Sequence, residues 1–224
     1  DNIDKAADMI VESVSDGGAV YCWDIGHGIQ GDFLNRAGGL AMVQHFSLNF
    51  SVHSPTADCV KDRPRAESFD RDIEVIRFAL KASNLREGDV MIVGSVSGKN
   101  VNPIEMGIAC GDMGVKTIGL TSMDYTSQVE SKHPSGKKLF EVVDVAIDIG
   151  APFGDAAVEI EGYDFKLLPV SGVAMAVSGW LTWEDVVEKM VAIGKPPSVF
   201  MSVNRPGGSE YYKESTAEFN RRGY

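Results

Sequence analysis

Residues 89–121 read DVMIVGSVSGKNVNPIEMGIACGDMGVKTIGLT, a pattern that predicts a strand, a polar loop, a helix and a second strand. Residues 89–94 form a short apolar run, and Pro103 suits the first turn of the helix. Such a βαβ unit directs its loop and its helix N-terminus outward from the carboxyl end of the first strand. Free N–H groups and the helix dipole favour an anion there. The serine hydroxyls and the lysine of residues 95–100 therefore predict a phosphate contact.

The rest of the chain continues this alternation of strands and helices. The first helix is predicted from the apolar spacing of residues 3–11 and is closed by residues 16–18. Further helices are predicted over residues 33–37, 67–83, 135–140 and 173–193, and strands over residues 19–23, 40–46, 144–149, 156–161 and 198–203. Polar connections are expected at 47–66, as a candidate lid, and at 122–134. The order predicts an α/β fold, a three-layer α/β/α domain with a mostly parallel sheet.

Length and composition indicate one domain. The 224 residues, 44% of them hydrophobic, are enough for a single core over residues 1–224. The first helix opens at Asp1 without a methionine and could continue upstream, and residues 204–224 are predicted to form a polar tail. No segment approaches the ~20 apolar residues that cross a bilayer, so no membrane partner is expected.

Charge and cysteine content narrow the partners and the setting. A net charge of −11 and a pI near 4.8 argue against nucleic-acid binding, so local donors must hold an anionic ligand. The three cysteines form no CxxC pattern, which favours a reduced, cytoplasmic setting. The central loop contains neither GxxxxGK[ST] nor GxGxxG, and the histidines match no common zinc spacing. No cofactor and no metal are therefore expected.

The series Ser95-x-Ser97-Gly98-x-Asn100 resembles the phosphosugar loop of the SIS (sugar isomerase) domain family, usually Ser-x-Ser-Gly followed one residue later by Thr, Ser or Asn. Further stretches resemble the small stand-alone bacterial members of that family, at residues 35–40, 86–90, 103–106, 120–122, 132–137, 154–160 and 199–208. The resemblance implies a five-stranded parallel sheet of flavodoxin-like type, a homodimer or higher homo-oligomer, and a sugar phosphate or other anionic sugar as the ligand. It also implies substrate contacts from Gly26, Gly28, Ser95, Ser97, Gly98, Lys99, Asn100, Thr121 and Ser122.

The first loop departs from the family pattern. That loop is usually Gly-Ser/Thr-Gly-His-Ser, whereas this chain has Asp24-Ile25-Gly26-His27-Gly28. Two hydroxyls are lost and a carboxylate is gained, while the second loop keeps its hydroxyls. A carboxylate can accept hydrogen bonds from sugar hydroxyls. We therefore expect an intact phosphate half of the site and a sugar that differs from that of the usual members.

Aldose–ketose isomerisation would move a proton between C1 and C2 of the sugar through an enediol, which needs a carboxylate or an imidazole as the base. Four such groups near predicted loops are candidate catalytic residues: Glu67, Glu105, His27 and His133. Each also has a simpler explanation, because the two glutamates suit helix starts and the two histidines suit a cap or an exposed loop. Three hypotheses follow: an isomerase, a non-catalytic phosphosugar sensor or regulator, and a sugar-phosphate ether lyase.

Overall fold

The protein is built around a five-stranded parallel sheet with the strand order β2-β1-β3-β4-β5. Its strands are β1 (Val20–Ile25), β2 (Val43–Phe46), β3 (Val90–Gly94), β4 (Lys116–Thr121) and β5 (Val145–Asp148). The structure, a computed structural model, describes residues 1–25, 29–64 and 71–224. Each pair of neighbouring strands in this sheet is parallel, which confirms the predicted α/β class.

Helices cover both faces of this sheet and complete the three layers. In the described chain they are α1 (Asn2–Ser15), α2 (Gln30–Phe33), α3 (Arg71–Ala82), α4 (Val101–Asp112), α5 (Met123–Ser127), α6 (Ser171–Ala192) and α7 (Gly208–Arg222), with 3₁₀ turns at Asp58–Val60 and Leu139–Glu141. Within these residues no helix combines the length and the hydropathy that a bilayer crossing requires.

The two cores divide the central strand between them. Ile92 of β3 joins a core that includes Ile10 of α1, and α6 packs on that side. Its neighbour Met91 joins the opposite core with Leu80 of α3 and Met106 of α4. Successive side chains of a strand point to opposite faces, so β3 is buried on both sides. All five residues of β3 are buried, as its unbroken apolar run predicts.

The strand order places a crevice between β1 and β3. Counting along the chain, β2 is added on one side of β1, whereas β3, β4 and β5 are added on the other. In this flavodoxin-like order the connections after β1 and β3 leave toward opposite faces of the sheet, and ligands bind between them, outside the carboxyl ends of the strands. The loop between β3 and α4, residues 95–100, lies at this switch point.

The strand predicted over residues 156–161 is not an edge of the main sheet. Instead, β6 (Ala156–Val158) pairs antiparallel with β7 (Leu167–Pro169) in a separate hairpin. Asp155 explains the turn away from the sheet, because it adopts a left-handed φ of 64° and its carboxylate caps α6, accepting from Ser171 N at 2.8 Å and Ser171 Oγ at 2.7 Å.

The C-terminal predictions are also corrected. The strand predicted over residues 198–203 forms only an isolated antiparallel bridge between Val199 and Leu40. The segment predicted as a polar tail contains α7, whose buried Ser215 donates to Val199 O at 2.6 Å. The ring of Tyr212 stacks on Phe200 at 4.9 Å. Because α7 buries only a narrow face, most of its residues are polar or charged, and the sequence therefore looks like a polar tail.

Four predictions for the first and middle parts of the chain differ from the structure. The helix predicted over residues 33–37 ends at Phe33, because Leu34 is extended and Asn35 has a φ of 53°. The predicted second strand begins only at Val43. The polar connection at 122–134 contains α5, and the helix predicted from residue 135 is only the second 3₁₀ turn.

Gly179 of α6 tests the packing of the first core, because a Cβ built there would overlap the ring of Phe33. Gly179→Ala should lower the free energy of unfolding by ~1–3 kcal/mol through overpacking, although helix propensity alone favours alanine by about 1 kcal/mol. Gly111→Ala in α4 is the matched control, because its Cβ would meet no such neighbour. The free energy of unfolding of Gly111→Ala should rise by about 0.5–1 kcal/mol. Urea denaturation measures both, and a stabilised Gly179→Ala would contradict this packing.

Candidate functional site

The β3–α4 loop, residues 95–100, is shaped by backbone hydrogen bonds at the end of β3. Ser95 N donates to Leu120 O at 2.9 Å, and Gly98 N donates back to Ser95 O at 3.1 Å. Gly98 has a φ of 60°, a conformation that glycine adopts without strain. A Cβ at Gly98 would lie 3.0 Å from Thr121 Oγ1 and 3.1 Å from Thr126 Oγ1. Glycine is therefore required both by the backbone conformation and by the closeness of β4 and α5.

Polar groups of the β3–α4 loop remain open for a ligand. Within the described chain the hydroxyls of Ser95 and Ser97 form no hydrogen bond. Asn100 is the N-cap of α4, but its side chain makes no capping hydrogen bond. The first turn of a helix carries N–H groups with no intrahelical partner, and these groups with the dipole suit an anion. Open hydroxyls, an open amide and a helix N-terminus thus meet at the crevice between β1 and β3.

Thr121 and Ser122 support this loop from below. Both residues have no solvent exposure. Thr121 Oγ1 donates to Val96 O at 3.2 Å, and Ser122 Oγ donates to Ala151 O at 2.5 Å while accepting from Tyr125 N at 3.0 Å. Their hydroxyls are therefore engaged with backbone groups, and direct contact between these two residues and a substrate stays a prediction.

Glu105 and His133, two of the candidate catalytic residues, are in contact with each other. His133 Nε2 lies 2.9 Å from Glu105 Oε2, and the residues are 8% and 1% exposed. Ser135 N donates to His133 Nδ1 at 3.1 Å, so Nδ1 is the acceptor and the ring proton lies on Nε2, directed at the carboxylate. The pair is thus a buried hydrogen bond rather than two groups facing a ligand.

Arg77 of α3 completes this cluster. Its Nε lies 2.5 Å from Glu105 Oε1, an ion pair whose geometry is not that of an aligned hydrogen bond, and its Nη1 lies 3.0 Å from Asp112 Oδ2. Burial by itself lowers the pKa of Arg77, but the hydrogen bond to Asp112 and the charge of Glu105 raise it more, so the pKa lies above its ordinary value. The guanidinium therefore stays charged beside Glu105.

Sequence reasoning did not find Arg77 or Thr126. Arg77 follows Ile76 in the helical pattern of α3, and nothing in that pattern relates it to a carboxylate 28 residues later. Thr126 is fully buried, and its hydroxyl has no hydrogen-bond partner in the described chain. Four predicted site residues, Gly26, His27, Gly28 and Glu67, lie outside the described residues. In the part that is described, no three His, Cys, Asp or Glu side chains form a group that could hold a metal.

Comparison with known proteins establishes the class. The family model of the SIS domain matches residues 1–122, more than half of the chain. The chain belongs to the SIS domain family, as its β3–α4 loop suggests. It is 35% identical over 210 residues to a UPF0309 protein of Halalkalibacterium halodurans, covering 92% of this chain and 84% of that protein. A UPF0309 protein of Shouchella clausii is 32% identical with 92% and 83% covered, so within the SIS family this chain is a member of the UPF0309 group.

The solved structure of a phosphoheptose isomerase from Neisseria gonorrhoeae is also similar to this chain. The two share 16% sequence identity and superpose with a TM-score of 0.49 over 85% of each chain.

Gly98→Ala tests the close approach under the β3–α4 loop. A left-handed alanine costs ~1–2 kcal/mol, and at Gly98 the added contacts with Thr121 and Thr126 should increase the loss. Gly136→Ala is the matched control, because Gly136 has a φ of 71° but a Cβ there would meet nothing within 4 Å. Urea denaturation should show the larger loss for Gly98→Ala. Equal losses in the two variants would contradict the close approach.

Proposed function

We propose that this protein binds a sugar phosphate and that the β3–α4 loop holds the phosphate group. The observation that carries the proposal is the set of open donors at the switch point: the hydroxyls of Ser95 and Ser97, the amide of Asn100 and the N-terminus of α4. In a turn on the open surface, water alone would satisfy the polar groups. This loop differs from such a turn, because Gly98 within it is buried and the residues beneath it, Thr121 and Ser122, are buried too.

Local charge is consistent with a phosphate in an otherwise acidic protein. The net charge of −11 repels an anion at long range, so affinity must come from groups close to it. Lys99 lies within the β3–α4 loop, and Lys132 N donates to Lys99 O at 2.8 Å. Neither lysine forms an ion pair inside the described ranges. Two ammonium groups are thus available on adjoining segments.

We infer that the chemistry is an aldose–ketose isomerisation with His27 and Glu67 as the acid–base pair. Glu105 and His133 are the weaker candidates, because a general base must reach the proton that it removes, and both are buried and bonded to each other. In the sequence, His27 follows β1, the strand that neighbours β3 in the sheet. Asp24, near the carboxyl end of β1, is the residue that we expect to select the sugar.

A non-catalytic phosphosugar sensor is the second candidate. One observation favours it: in the described chain Glu105 and His133 are hydrogen-bonded to each other. The family membership is compatible with either function. The two functions differ in one measurable step, because an isomerase removes the proton from C2 of the sugar and a sensor does not.

We also propose that the protein forms a homodimer or a higher homo-oligomer through α6. Val173, Val177, Trp180 and Leu181 recur on one helix face, and each is exposed. Val173, Val177 and Trp180 line a largely apolar groove together with Ile29, and Asp32 and Asp155 also border it. An apolar helix face of this kind can pair with its own copy across a two-fold axis.

Ser97→Ala tests the phosphate contact. A hydrogen bond to a charged group contributes ~1.5–3 kcal/mol, so affinity for a sugar phosphate should fall at least about tenfold. A thermal-shift screen of hexose and heptose phosphates selects the ligand, and calorimetry measures its Kd. Ser83→Ala is the control, because Ser83 precedes β3 at the opposite edge of the sheet, where its hydroxyl donates to Leu80 O at 2.7 Å. Unchanged affinity in Ser97→Ala would refute the loop assignment.

Exchange with solvent tests the chemistry. In D2O an isomerase should incorporate deuterium at C2 of the bound sugar phosphate, because the enediol is reprotonated from the base. Proton NMR follows the loss of the C2 signal, and His27→Asn and Glu67→Gln should retain binding but lose exchange. Tight binding without exchange identifies the sensor, and release of a leaving group identifies the lyase.

A further inference from the structure

Glu105 is a carboxylate in the protein interior that the proposed chemistry does not use. Burial of a charge without a partner is strongly destabilising, so such a group is retained only with compensation. Here the compensation comes from two different elements, Arg77 on α3 and His133 on the segment after α5. Because the three residues come from separate parts of the chain, their contacts fix these parts relative to one another.

The segment of residues 131–139 is attached directly to the β3–α4 loop. Lys132 N, next to His133, donates to Lys99 O at 2.8 Å. Leu139 N, at the other end of the segment, donates to Gly98 O at 2.9 Å. A displacement of His133 would therefore be transmitted to the backbone of the loop through two hydrogen bonds.

The ring of His133 cannot rotate freely in this arrangement. Its Nε2 is bonded to Glu105, and its Nδ1 lies 3.1 Å from Ser135 N and 2.8 Å from Ser135 Oγ. Glu105 in turn uses one oxygen for His133 and the other for Arg77. Each member is thus held by at least two partners, and a network of this kind has one low-energy geometry.

We propose that Arg77, Glu105 and His133 form a positioning network that holds the β3–α4 loop at a set distance from α3. The inference rests on the proposed phosphate site, because that loop is the phosphate-binding element. In the sequence, α3 begins four residues after Glu67, which the proposed reaction uses. Glu105 and His133 are positioning residues, which replaces the catalytic role expected for them.

The first test is amide hydrogen exchange of the unliganded protein, which does not depend on phosphate binding. His133→Leu should speed exchange in residues 97–100 and 131–139 on the order of tenfold, the factor for losing one hydrogen bond to a charged group. His133→Gln, which can still donate to Glu105, should recover most of the protection. Asp112→Asn is the control, because it removes only the exposed partner of Arg77 and should leave these amides unchanged.

The two ways of failing can be told apart. Unchanged exchange in the β3–α4 loop overturns the positioning network, and so does an equal loss of protection in α1 and α6, which would mark a general loss of core packing. If His133→Leu does not fold, Glu105→Gln provides the same comparison with its volume kept.

Calorimetry with inorganic phosphate and the selected sugar phosphate then tests the connection to binding. His133→Leu should weaken both ligands, and His133→Gln should restore them. If the wild-type protein binds neither ligand while the exchange result holds, the proposed function is wrong and the network stands. Unchanged affinity in His133→Leu, with binding by the wild-type protein intact, overturns the link from the network to the site.

Discussion

Parallel pairing of β3 with β1 on one side and β4 on the other is the constraint on which the rest of the structure depends. Val90 pairs with Val20 and with Lys116, so the three strands begin together and their carboxyl ends meet at one edge. A shift of one residue would turn each side chain of β3 from one core into the other and disrupt the packing of both. The register therefore determines where the β3–α4 loop emerges and which floor lies beneath it.

The distribution of charge is compatible with an anion at the β3–α4 loop, although the protein as a whole is negatively charged. The chain carries an excess of acidic groups, yet the described part of the β3–α4 loop contains none. Glu105, in the first turns of α4, could have opposed an anion at the N-terminus of that helix. The charge of Glu105 is instead balanced by the guanidinium of Arg77, and the other oxygen of the carboxylate contacts His133. Pairing of this carboxylate inside the protein is thus compatible with an anion in front of the same helix.

Much of the fold follows from local patterns, because its cores are made of strongly periodic segments. The apolar run of β3 and the helical spacing of α1 and α6 predict buried elements, and the structure confirms them. The hairpin and α7 were missed because tertiary contacts decide them. Asp155 turns the chain away from the sheet by capping α6, and α7 is held through Ser215 and Tyr212. Neither contact has a signature in the neighbouring sequence.

The candidate site shows the same limit at the level of chemistry. Residue type and position near a loop were enough to select Glu105 and His133, and the two do meet. Their role depends on burial and on partners supplied by Arg77 and Ser135, which no spacing encodes. His133 has its Nε2 bonded to Glu105 and its Nδ1 accepting from Ser135 N, so neither ring nitrogen offers the free lone pair that a catalytic base directs at its substrate. In the sequence, Asp24 and Gly28 replace residues that are usual in the first loop of the family, and we expect any difference in chemistry to come from these replacements.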